Sequence, residues 1–388
     1  METRRIGITW QLSDGHGWGV FGTNLVLNLL KNGPCPPLLF SEPMFIENAG
    51  HLTQALRPYI ADHHEQFLSA VDSSGPTMFN DATILHSVGN QFITNRVSDN
   101  VHGRRNIGFI FLELAGFDNA GLKRARQWDR ILAGSSWNRD VCRAAGLNDV
   151  RFVSQGVDTE LFSPGPRLGV PSGRFVVFSG GKLEYRKGQD LVVAAFKQFL
   201  ERHPDSLLVT AWQNSWHETA LTIMQSPYIS SAPILDPGGL IRITDWVTAN
   251  GIPADNFVDL GWVANSRLPA ILREINVALF PNRCEGGTNL AAMEAMATGT
   301  PCILSANTGH LDLIDEDNCY ALSRQTEGSD EPDHWRTSDI DEIVEKLELA
   351  YTDHEDRKRR ARTGVQFMKK LSWENQTRLL IEEIEDLL

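Results

Sequence analysis

Two glutamates and a pair of glycines make the segment PNRCEGGTNLAAMEAMATGTPCI (281–303) the strongest chemical candidate in the chain. Gly286 and Gly287 allow a sharp turn and close backbone approach. Glu285 beside them and Glu294 in the following helix-forming run can accept hydrogen bonds from sugar hydroxyls. The first N–H groups of that helix suit an anion such as a diphosphate, and they belong to Thr288, Asn289 and Leu290. The alternative is an ordinary strand–loop–helix unit with solvated glutamates.

A second candidate is VVFSGGKLEYRKGQDLVVAAF, in which Lys182 and Lys187 flank a short loop between a strand and a helix. Two lysines near the carboxyl end of a strand can neutralise a diphosphate without a metal ion. Because lysines are common on surfaces, an ordinary solvated loop is the competing interpretation.

A third candidate is the glycine-rich loop that follows the first predicted strand. Gly17, Gly19 and Gly22 have the GxGxxG spacing, so a Rossmann dinucleotide site must be considered. The next segment, PCPPLLFSEP, shows no convincing strand that ends in a ribose-binding acid. Gly17 and Gly19 are counted as candidate donor-binding residues, and Asp14 and His16 of the same loop can contact either donor or acceptor.

These loops must be positioned by α/β elements, because short apolar runs alternate with amphipathic stretches along the chain. In the first half we predict strands at Ile6–Trp10, Thr83–His86, Ile107–Leu112, Ile131–Ala133 and Val150–Val153. Predicted helices there are Val20–Leu30, Gly121–Gln127 and Trp137–Ala145. A Pro/Gly-rich linker at 163–173 precedes a second series, with strands in RFVVFSG and SLLVTAW and at Phe257–Leu260, Val277–Phe280 and Pro301–Leu304, and a helix at Gln189–Arg202.

Length, charge and cysteine usage narrow the class of protein. The 388 residues favour two domains, and the net charge of −13 weighs against broad binding to nucleic acid or anionic lipid. Five cysteines without CxxC spacing indicate a reducing compartment, and no run is long enough for a membrane span. We expect a cytoplasmic protein with at most peripheral membrane contact, through a basic cluster at 357–362 that is otherwise a solvated helix face.

The chain resembles the family-four glycosyltransferases, and the likeness covers nearly its whole length. FSGGKLEYRKGQD is similar to the family's phosphate loop, and EGGTNLAAMEAMATGTP is similar to its two-glutamate signature. The resemblance implies the GT-B fold, an α/β architecture of two Rossmann-like domains facing across a cleft. It predicts an acceptor domain at 1–163, a nucleotide-sugar donor domain at 164–370, and a helix at 371–388 that crosses back to the N-terminal domain.

The resemblance also implies a reaction, the transfer of a hexosyl unit from a UDP- or GDP-linked sugar to a hydroxyl acceptor with retention of configuration. The acceptor is a glycan, a lipid or a small molecule, and no cofactor is expected. Lys187 falls on the family's phosphate-binding lysine, and Lys182 replaces its usual arginine. Glu294 falls on the ribose-binding glutamate, Glu285 on the sugar-binding one, and Trp262 and Val263, with Gly261, on the segment whose backbone reads the nucleobase.

Several features depart from the family pattern. Eight residues separate Glu285 from Glu294, whereas the family usually has seven. The family's catalytic histidine is missing, and either Glu113 or His86 is expected in its place. We expect no metal ion, because acids in the DxD strings at 315–317 and 339–341 suit predicted helix starts. An NAD-type dehydrogenase and an inactive sugar-nucleotide-binding protein stay open as alternatives, and the sequence does not decide the oligomeric state.

Overall fold

The chain forms two compact units. The computed structural model describes residues 4–46, 49–70, 75–171, 173–328 and 331–388, so Ser172 of the predicted linker lies outside the described residues. The N-terminal unit comprises Met1–Gly156, Gly286–Thr288 and Leu371–Leu388. The C-terminal unit comprises Val157–Glu285 and Asn289–Lys370.

The N-terminal unit is built on a six-stranded parallel sheet. Its strands are β1 (Arg5–Ile8), β2 (Pro37–Leu39), β3 (Thr77–Val88), β4 (Val101–Ile110), β5 (Arg130–Ala133) and β6 (Val150–Phe152). The order is β2-β1-β3-β4-β5-β6, with every neighbouring pair parallel. The direction of winding reverses between β1 and β3, and ligands of such sheets bind beyond the carboxyl ends of the strands at the reversal.

Five helices accompany this sheet within the described residues, and a sixth closes the unit. They are α1 (Gly17–Asn32), α2 (Ala49–Leu56), α3 (Arg96–Asn100), α4 (Asn119–Ala125), α5 (Ser136–Ala144) and α13 (Trp373–Ile384). Trp373 of α13 stacks on Phe21 of α1 with ring centroids 5.7 Å apart, and Phe21 stacks on Trp10 at 5.5 Å. The predicted return of the last helix to the N-terminal domain is therefore confirmed.

The C-terminal unit repeats the parallel design with a different strand order. Its main strands are β7 (Val176–Gly180), β8 (Leu207–Ala211), β9 (Phe257–Asp259), β10 (Val277–Phe280), β11 (Cys302–Ser305) and β12 (Tyr320–Leu322). The order β12-β11-β10-β7-β8-β9 is that of the dinucleotide-binding fold, with the reversal between β7 and β10. Strand β7 is buried along its whole length, as expected for a parallel strand covered on both faces.

Helices cover both faces of the second sheet. They are α6 (Gln189–Arg202), α7 (His217–Leu221), α8 (Ile243–Ala249), α9 (Leu268–Glu274), α10 (Leu290–Ala297), α11 (Ile340–Thr352) and α12 (His354–Lys370). A short antiparallel hairpin joins β13 (Gln325–Thr326) to β14 (Thr337–Ser338). None of the helices in the described residues combines the length and hydropathy that a membrane span requires.

The predicted α/β class is confirmed, and some helices and strands differ from their predicted bounds. The helix at Gln189–Arg202 has the predicted bounds, whereas α1 begins at Gly17, three residues before the predicted start. Gly17, Gly19 and Gly22 therefore lie in the helix, and the prediction that they form the loop before it is wrong. The three-residue strand β2 falls in the segment that offered no convincing strand.

Candidate functional site

The reversal between β7 and β10 places two loops of the C-terminal unit against each other. The loop after β7 ends in a 3₁₀ turn that carries Lys187, and the loop after β10 carries Glu285. The Lys187 ammonium donates a hydrogen bond to Glu285 Oε1, and the Asn282 side-chain amide donates to the same oxygen. Two residues chosen from separate motifs, 98 positions apart, thus form one ion pair.

These side chains belong to a longer line of alternating charge, here called the charged row, made of Lys182, Glu184, Arg186, Glu285 and Lys187. Lys182 Nζ lies 3.3 Å from Glu184 Oε2, and the other oxygen of Glu184 accepts from Arg186 Nη2. Arg186 Nη1 lies 3.4 Å from Glu285 Oε2. Three cations against two carboxylates leave one net positive charge in the row.

Burial makes the charge of Glu285 dependent on its partners. The residue is 5% exposed, and burial alone would raise the pKa of its carboxyl. The charges of Lys187 and Arg186 outweigh that effect and lower the pKa of Glu285 to about 2. Glu285 is therefore an ionised hydrogen-bond acceptor at neutral pH.

The backbone around Glu285 is held in uncommon conformations. Its N–H donates to Thr308 Oγ1 at 2.8 Å, and its carbonyl accepts from Gly309 N at 3.0 Å. Thr308 has φ +41° and Asn289, four residues after Glu285, has φ +67°. Non-glycine residues with positive φ carry strain that persists where the surroundings determine it, so these contacts fix the position of the carboxylate.

His310 supports this arrangement through Asn289. Asn289 Oδ1 accepts from Ala292 N as the N-cap of α10, so its Nδ2 donates to His310 Nε2 at 3.0 Å. The other ring nitrogen, Nδ1, lies 3.2 Å from the carbonyl of Ser305 and donates to it. Burial lowers the pKa of His310 to about 4, which agrees with this neutral form.

A buried ion pair ties the two loops together. Arg283, 1% exposed, makes two hydrogen bonds of 2.8 and 2.7 Å to the carboxylate of Asp190 at the start of α6. Its Nη1 also donates to the carbonyl of Tyr185 at 2.7 Å, and its guanidinium lies 3.6 Å from the centre of the Tyr185 ring. The pair therefore fixes the spacing between the loops of Lys187 and Glu285.

The second signature glutamate has the opposite electrostatics. Glu294 is 6% exposed in α10, and Asn265 Nδ2 donates to its Oε1 at 2.6 Å. Burial raises the pKa of Glu294 to about 8, although the hydrogen bond from Asn265 opposes this. The carboxyl is therefore mostly protonated at pH 7 and can donate a hydrogen bond as well as accept one.

The turn between the two glutamates is divided between the units. Of the three residues expected at the helix start, Leu290 is the first residue of α10, Asn289 is its N-cap and Thr288 precedes it. Leu290 and Asn289 belong to the C-terminal unit. Gly286, Gly287 and Thr288 belong to the N-terminal unit, in which Ser135 Oγ donates to the carbonyl of Gly286 at 2.8 Å. A Cβ on Gly286 would lie 2.6 Å from the carbonyl oxygen of Leu112, so only glycine fits there.

The predicted nucleobase segment follows β9. Gly261 has φ +64°, and its N–H donates to Asp259 Oδ1 at 3.1 Å. Trp262 is 44% exposed and Val263 is half-buried. The loop thus presents backbone and an indole at the carboxyl edge of the sheet of the C-terminal unit.

The remaining candidates lie in the N-terminal unit. His86 has no exposed surface, its Nε2 lies 3.0 Å from Asn106 Oδ1, and burial lowers its pKa to about 4. Glu113 is partly exposed, in the loop after β4, and its N–H donates to Asn90 Oδ1 at 2.8 Å. Gly19 packs where a Cβ would lie 2.4 Å from Ser13 Cβ, while Gly17 is exposed at the first turn of α1.

The acidic DxD strings have structural partners. Asp339 caps α11 by accepting from Glu342 N at 2.8 Å, as predicted for an acid at a helix start. Asp317 pairs with Arg359 of α12, and Asp315 Oδ1 accepts from Glu316 N at 2.8 Å. Over the part of the chain that the structure describes, no group of three or more His, Cys, Asp or Glu side chains is placed to hold a metal ion.

Sequence reasoning missed several residues in the loops after β7, β10 and β11 and at the start of α6. They are Glu184, Arg186, Asp190, Arg283, Thr308 and His310, all of them 5% exposed or less. The available signal was a concentration of charge immediately after buried strands, because a buried charge requires a partner. That signal did not identify which residue each buried charge would pair with.

Comparison with known families supports the resemblance. Residues 263–380 match a family model described as Family 4 Glycosyltransferase in conflict systems. The matched range contains both signature glutamates. The predicted resemblance to family-four glycosyltransferases is confirmed by this match and by the similar proteins that follow.

Among curated proteins, the chain is similar to D-inositol 3-phosphate glycosyltransferase from Nocardiopsis dassonvillei. The two are 28% identical over 195 residues, which are 48% of this chain and 42% of that protein. The chain spans less than half the length of the curated relatives it matches.

Solved structures show the same fold. Sucrose-phosphate synthase from Thermosynechococcus elongatus superposes with a TM-score of 0.65 at 16% identity, covering 99% of each chain. Anabaena HepE in complex with UDP and glucose superposes with a TM-score of 0.64 at 12% identity, covering 99% of this chain and 100% of that one. The predicted GT-B fold is therefore confirmed.

Proposed function

We propose that this protein is a retaining glycosyltransferase that moves a hexosyl unit from a nucleoside-diphosphate sugar to a hydroxyl acceptor. The observation that carries the proposal is the charged row, with its carboxylates buried, at the reversal between β7 and β10. It holds an ionised Glu285 beside two cations at the edge of the sheet where ligands of this fold bind. The match of residues 263–380 to a family-four glycosyltransferase model supports the same reaction.

The main demand of the reaction is the negative charge that develops on the diphosphate leaving group. Lys182 and Lys187 supply positive charge, and the first N–H groups of α10, from Leu290 onward, supply oriented dipoles. Fixed charges and dipoles of this kind lower the free energy of a transition state without reorganising as it forms. We propose that they replace a metal ion.

The two glutamates divide the recognition of hydroxyl groups. Ionised Glu285 accepts hydrogen bonds from hydroxyls of the donor sugar. Glu294, protonated at pH 7 when the site is empty, binds the ribose hydroxyls and can either donate or accept. Their opposite pKa shifts come from the number of cations around each carboxylate.

Retention places the acceptor hydroxyl on the face from which the diphosphate leaves. In that geometry an oxygen of the departing phosphate takes the proton from the acceptor, as the family resemblance implies. We propose Glu113 rather than His86 for the contact with the reacting sugar. Glu113 is partly exposed, whereas His86 is buried and hydrogen-bonded to Asn106.

The similar proteins suggest which donor nucleotide and which acceptor to test first. The HepE structure holds UDP and glucose, and the curated relative is named for an inositol phosphate acceptor. We therefore propose a UDP- or GDP-linked hexose as donor and a phosphorylated polyol as the first acceptor. The five cysteines are all buried thiols, which fits the proposed cytoplasmic location.

The test is a transfer assay with UDP- and GDP-hexoses, each with and without EDTA, and inositol phosphate among the acceptors. The expected result is EDTA-insensitive release of the nucleoside diphosphate, with a glycosylated product whose anomeric configuration by NMR equals that of the donor. Nucleotide-sugar binding without transfer or hydrolysis would identify an inactive binding protein instead. Stabilisation by NAD alone would favour a dehydrogenase.

A further inference from the structure

One exposed indole lies next to the charged row and has no role in the reaction described so far. Trp216, in the segment between β8 and α7, is 59% exposed, a large fraction for the largest apolar side chain. Although the side chain is exposed, the backbone at Trp216 is held by hydrogen bonds. Trp216 N donates to Asn214 Oδ1 at 2.9 Å, and the buried Asn214 donates through Nδ2 to the carbonyl of Leu183 at 2.8 Å.

These hydrogen bonds attach the loop after β8 to the loop after β7. Leu183 N donates in return to the carbonyl of Trp212 at 3.0 Å, and Gly181 N donates to Ala211 O at 3.1 Å. Trp216 is therefore held at a fixed place relative to the phosphate-binding loop.

The indole closes one end of the charged row. Lys182 Nζ lies 5.4 Å from the centre of the Trp216 ring, within the range of a cation–π contact. An ammonium can cover only one face of a ring, and the exposed area of Trp216 shows that much of the indole stays open. Lys187 and Glu285 lie at the other end of the row, so an aromatic ring borders one end and an ion pair forms the other.

We propose that Trp216 is the stacking platform for the nucleobase of the diphosphate donor, an inference that rests on the proposed function. A ligand whose phosphates lie at the loop after β7 extends over the carboxyl ends of the neighbouring strands in this fold. Strand β8 is the neighbour of β7 on the side away from β10. An open aromatic ring at that edge binds any base through its π-face.

This assignment separates two contacts with the base. The backbone of Gly261–Val263 after β9 is placed to read polar edges, whereas Trp216 supplies a flat surface of no edge specificity. Stacking raises affinity for purines and pyrimidines alike, and the base is selected elsewhere. Trp216 thus contributes affinity for the nucleoside without contributing to the neutralisation of the diphosphate.

The experiment measures the dissociation constants of UDP, GDP and inorganic pyrophosphate by calorimetry for the wild type, Trp216→Ala and Trp216→Phe. Stacking on one aromatic side chain changes affinity by roughly 5- to 150-fold on alanine substitution. We expect Trp216→Ala to weaken the better-bound nucleoside diphosphate by about tenfold or more, Trp216→Phe to weaken it less, and pyrophosphate to be unaffected. The matched control is Tyr228→Ala, since Tyr228 is a 45% exposed aromatic residue between α7 and α8, and it should change none of the three.

Three other results would contradict the proposed stacking role of Trp216. Equal loss of UDP, GDP and pyrophosphate binding would show that Trp216 acts only by positioning Lys182, and would overturn the platform. Unchanged nucleotide binding in Trp216→Ala would overturn it as well and place the stacking surface elsewhere. If the wild type binds neither nucleoside diphosphate, the proposed function fails together with this inference.

Discussion

The first strand-to-helix connection of each sheet has the same topological position and a different content. Between β1 and α1 the contacts are close packing of α1 on the preceding loop and hydrogen bonds such as that from Gly19 N to His16 Nδ1 at 3.1 Å. Between β7 and α6 they are ion pairs. The glycine spacing that indicates a nucleotide site occurs at the start of α1, while the charges suited to a diphosphate occur in the connection between β7 and α6.

The glycines show why the pattern is misleading in the N-terminal unit. A Cβ on Gly22 would lie 2.4 Å from Trp10 Nε1, and one on Gly19 would lie 2.4 Å from Ser13 Cβ. Their absence of a side chain is thus explained by helix packing. In the C-terminal unit Gly188, with φ +72°, brings the loop after β7 to where a Cβ would lie 2.3 Å from the carbonyl oxygen of Pro281. Close approach there brings two charged loops together.

The largest expected effect is on turnover, from a substitution in the connection between β7 and α6. Lys187→Ala removes a cation that contacts Glu285 and is proposed to neutralise the leaving group. We expect turnover to fall by roughly 10²- to 10³-fold, as for removal of one preorganised charge-stabilising donor, with weaker binding of nucleoside diphosphate. Initial-rate kinetics and calorimetry measure both quantities.

Lys123→Ala is the matched control, because Lys123 is an exposed lysine of α4 in the N-terminal unit. Its kinetics should equal those of the wild type. A Lys187→Ala variant with unaltered turnover would contradict the proposed phosphate site between β7 and α6.

The next effect is on stability, from a substitution of Gly22 in α1. Gly22→Ala forces a methyl group against Trp10 and Leu12, so we expect the free energy of unfolding to fall by about 1–3 kcal/mol. That loss exceeds the gain in helix propensity. Urea denaturation measures it, and nucleotide affinity of the folded protein should not change.

Gly50→Ala in α2 is the corresponding control, since a Cβ there meets no atom within 4 Å. It should leave stability equal or slightly higher, because alanine favours helix. If Gly22→Ala instead weakened nucleotide binding at unchanged stability, the first connection would be a binding loop and the contrast between the units would fail.

The third effect is a gradual dependence of stability on pH from the two glutamates. The pKa of Glu294 is raised from 4.5 to about 8, so the folded state keeps a proton that the unfolded state releases. Its contribution to stability is complete below about pH 4.5 and is lost as pH rises toward 8, with a slope of at most about 1.4 kcal/mol per pH unit. Glu294→Gln should flatten the unfolding free energy over this window.

Glu285 has the opposite sign and serves as the comparison. Its pKa is lowered from 4.5 to about 2, so its contribution is present above about pH 4.5 and lost as pH falls toward 2. Glu285→Gln should change the acid side of the profile and leave the slope between pH 5 and 8 in place. A wild-type profile that matched that of Glu294→Gln would show that Glu294 is already ionised in the folded protein.

Sequence patterns predicted these regions unequally. The periodicity of QDLVVAAFKQFLER was enough to delimit α6, because its apolar face is continuous and its ends are marked by Gly188 and a polar turn. The strand β2 has three residues, PLL, too few for a period to be recognised. The start of α1 was misplaced because glycines normally interrupt a helix, whereas here they are needed where α1 packs on Ser13 and Trp10.

By itself the sequence determined the α/β class, the likeness to family-four glycosyltransferases and the loops that carry Lys187 and Glu285, because these depend on local composition and on motifs. Only the tertiary structure decided which charges meet. Arg283 finds Asp190 across 93 positions, and Lys187 finds Glu285 across 98, because the strand order brings β7 beside β10. The opposite pKa shifts of Glu285 and Glu294 have the same origin, since burial acts on both and only Glu285 is surrounded by cations.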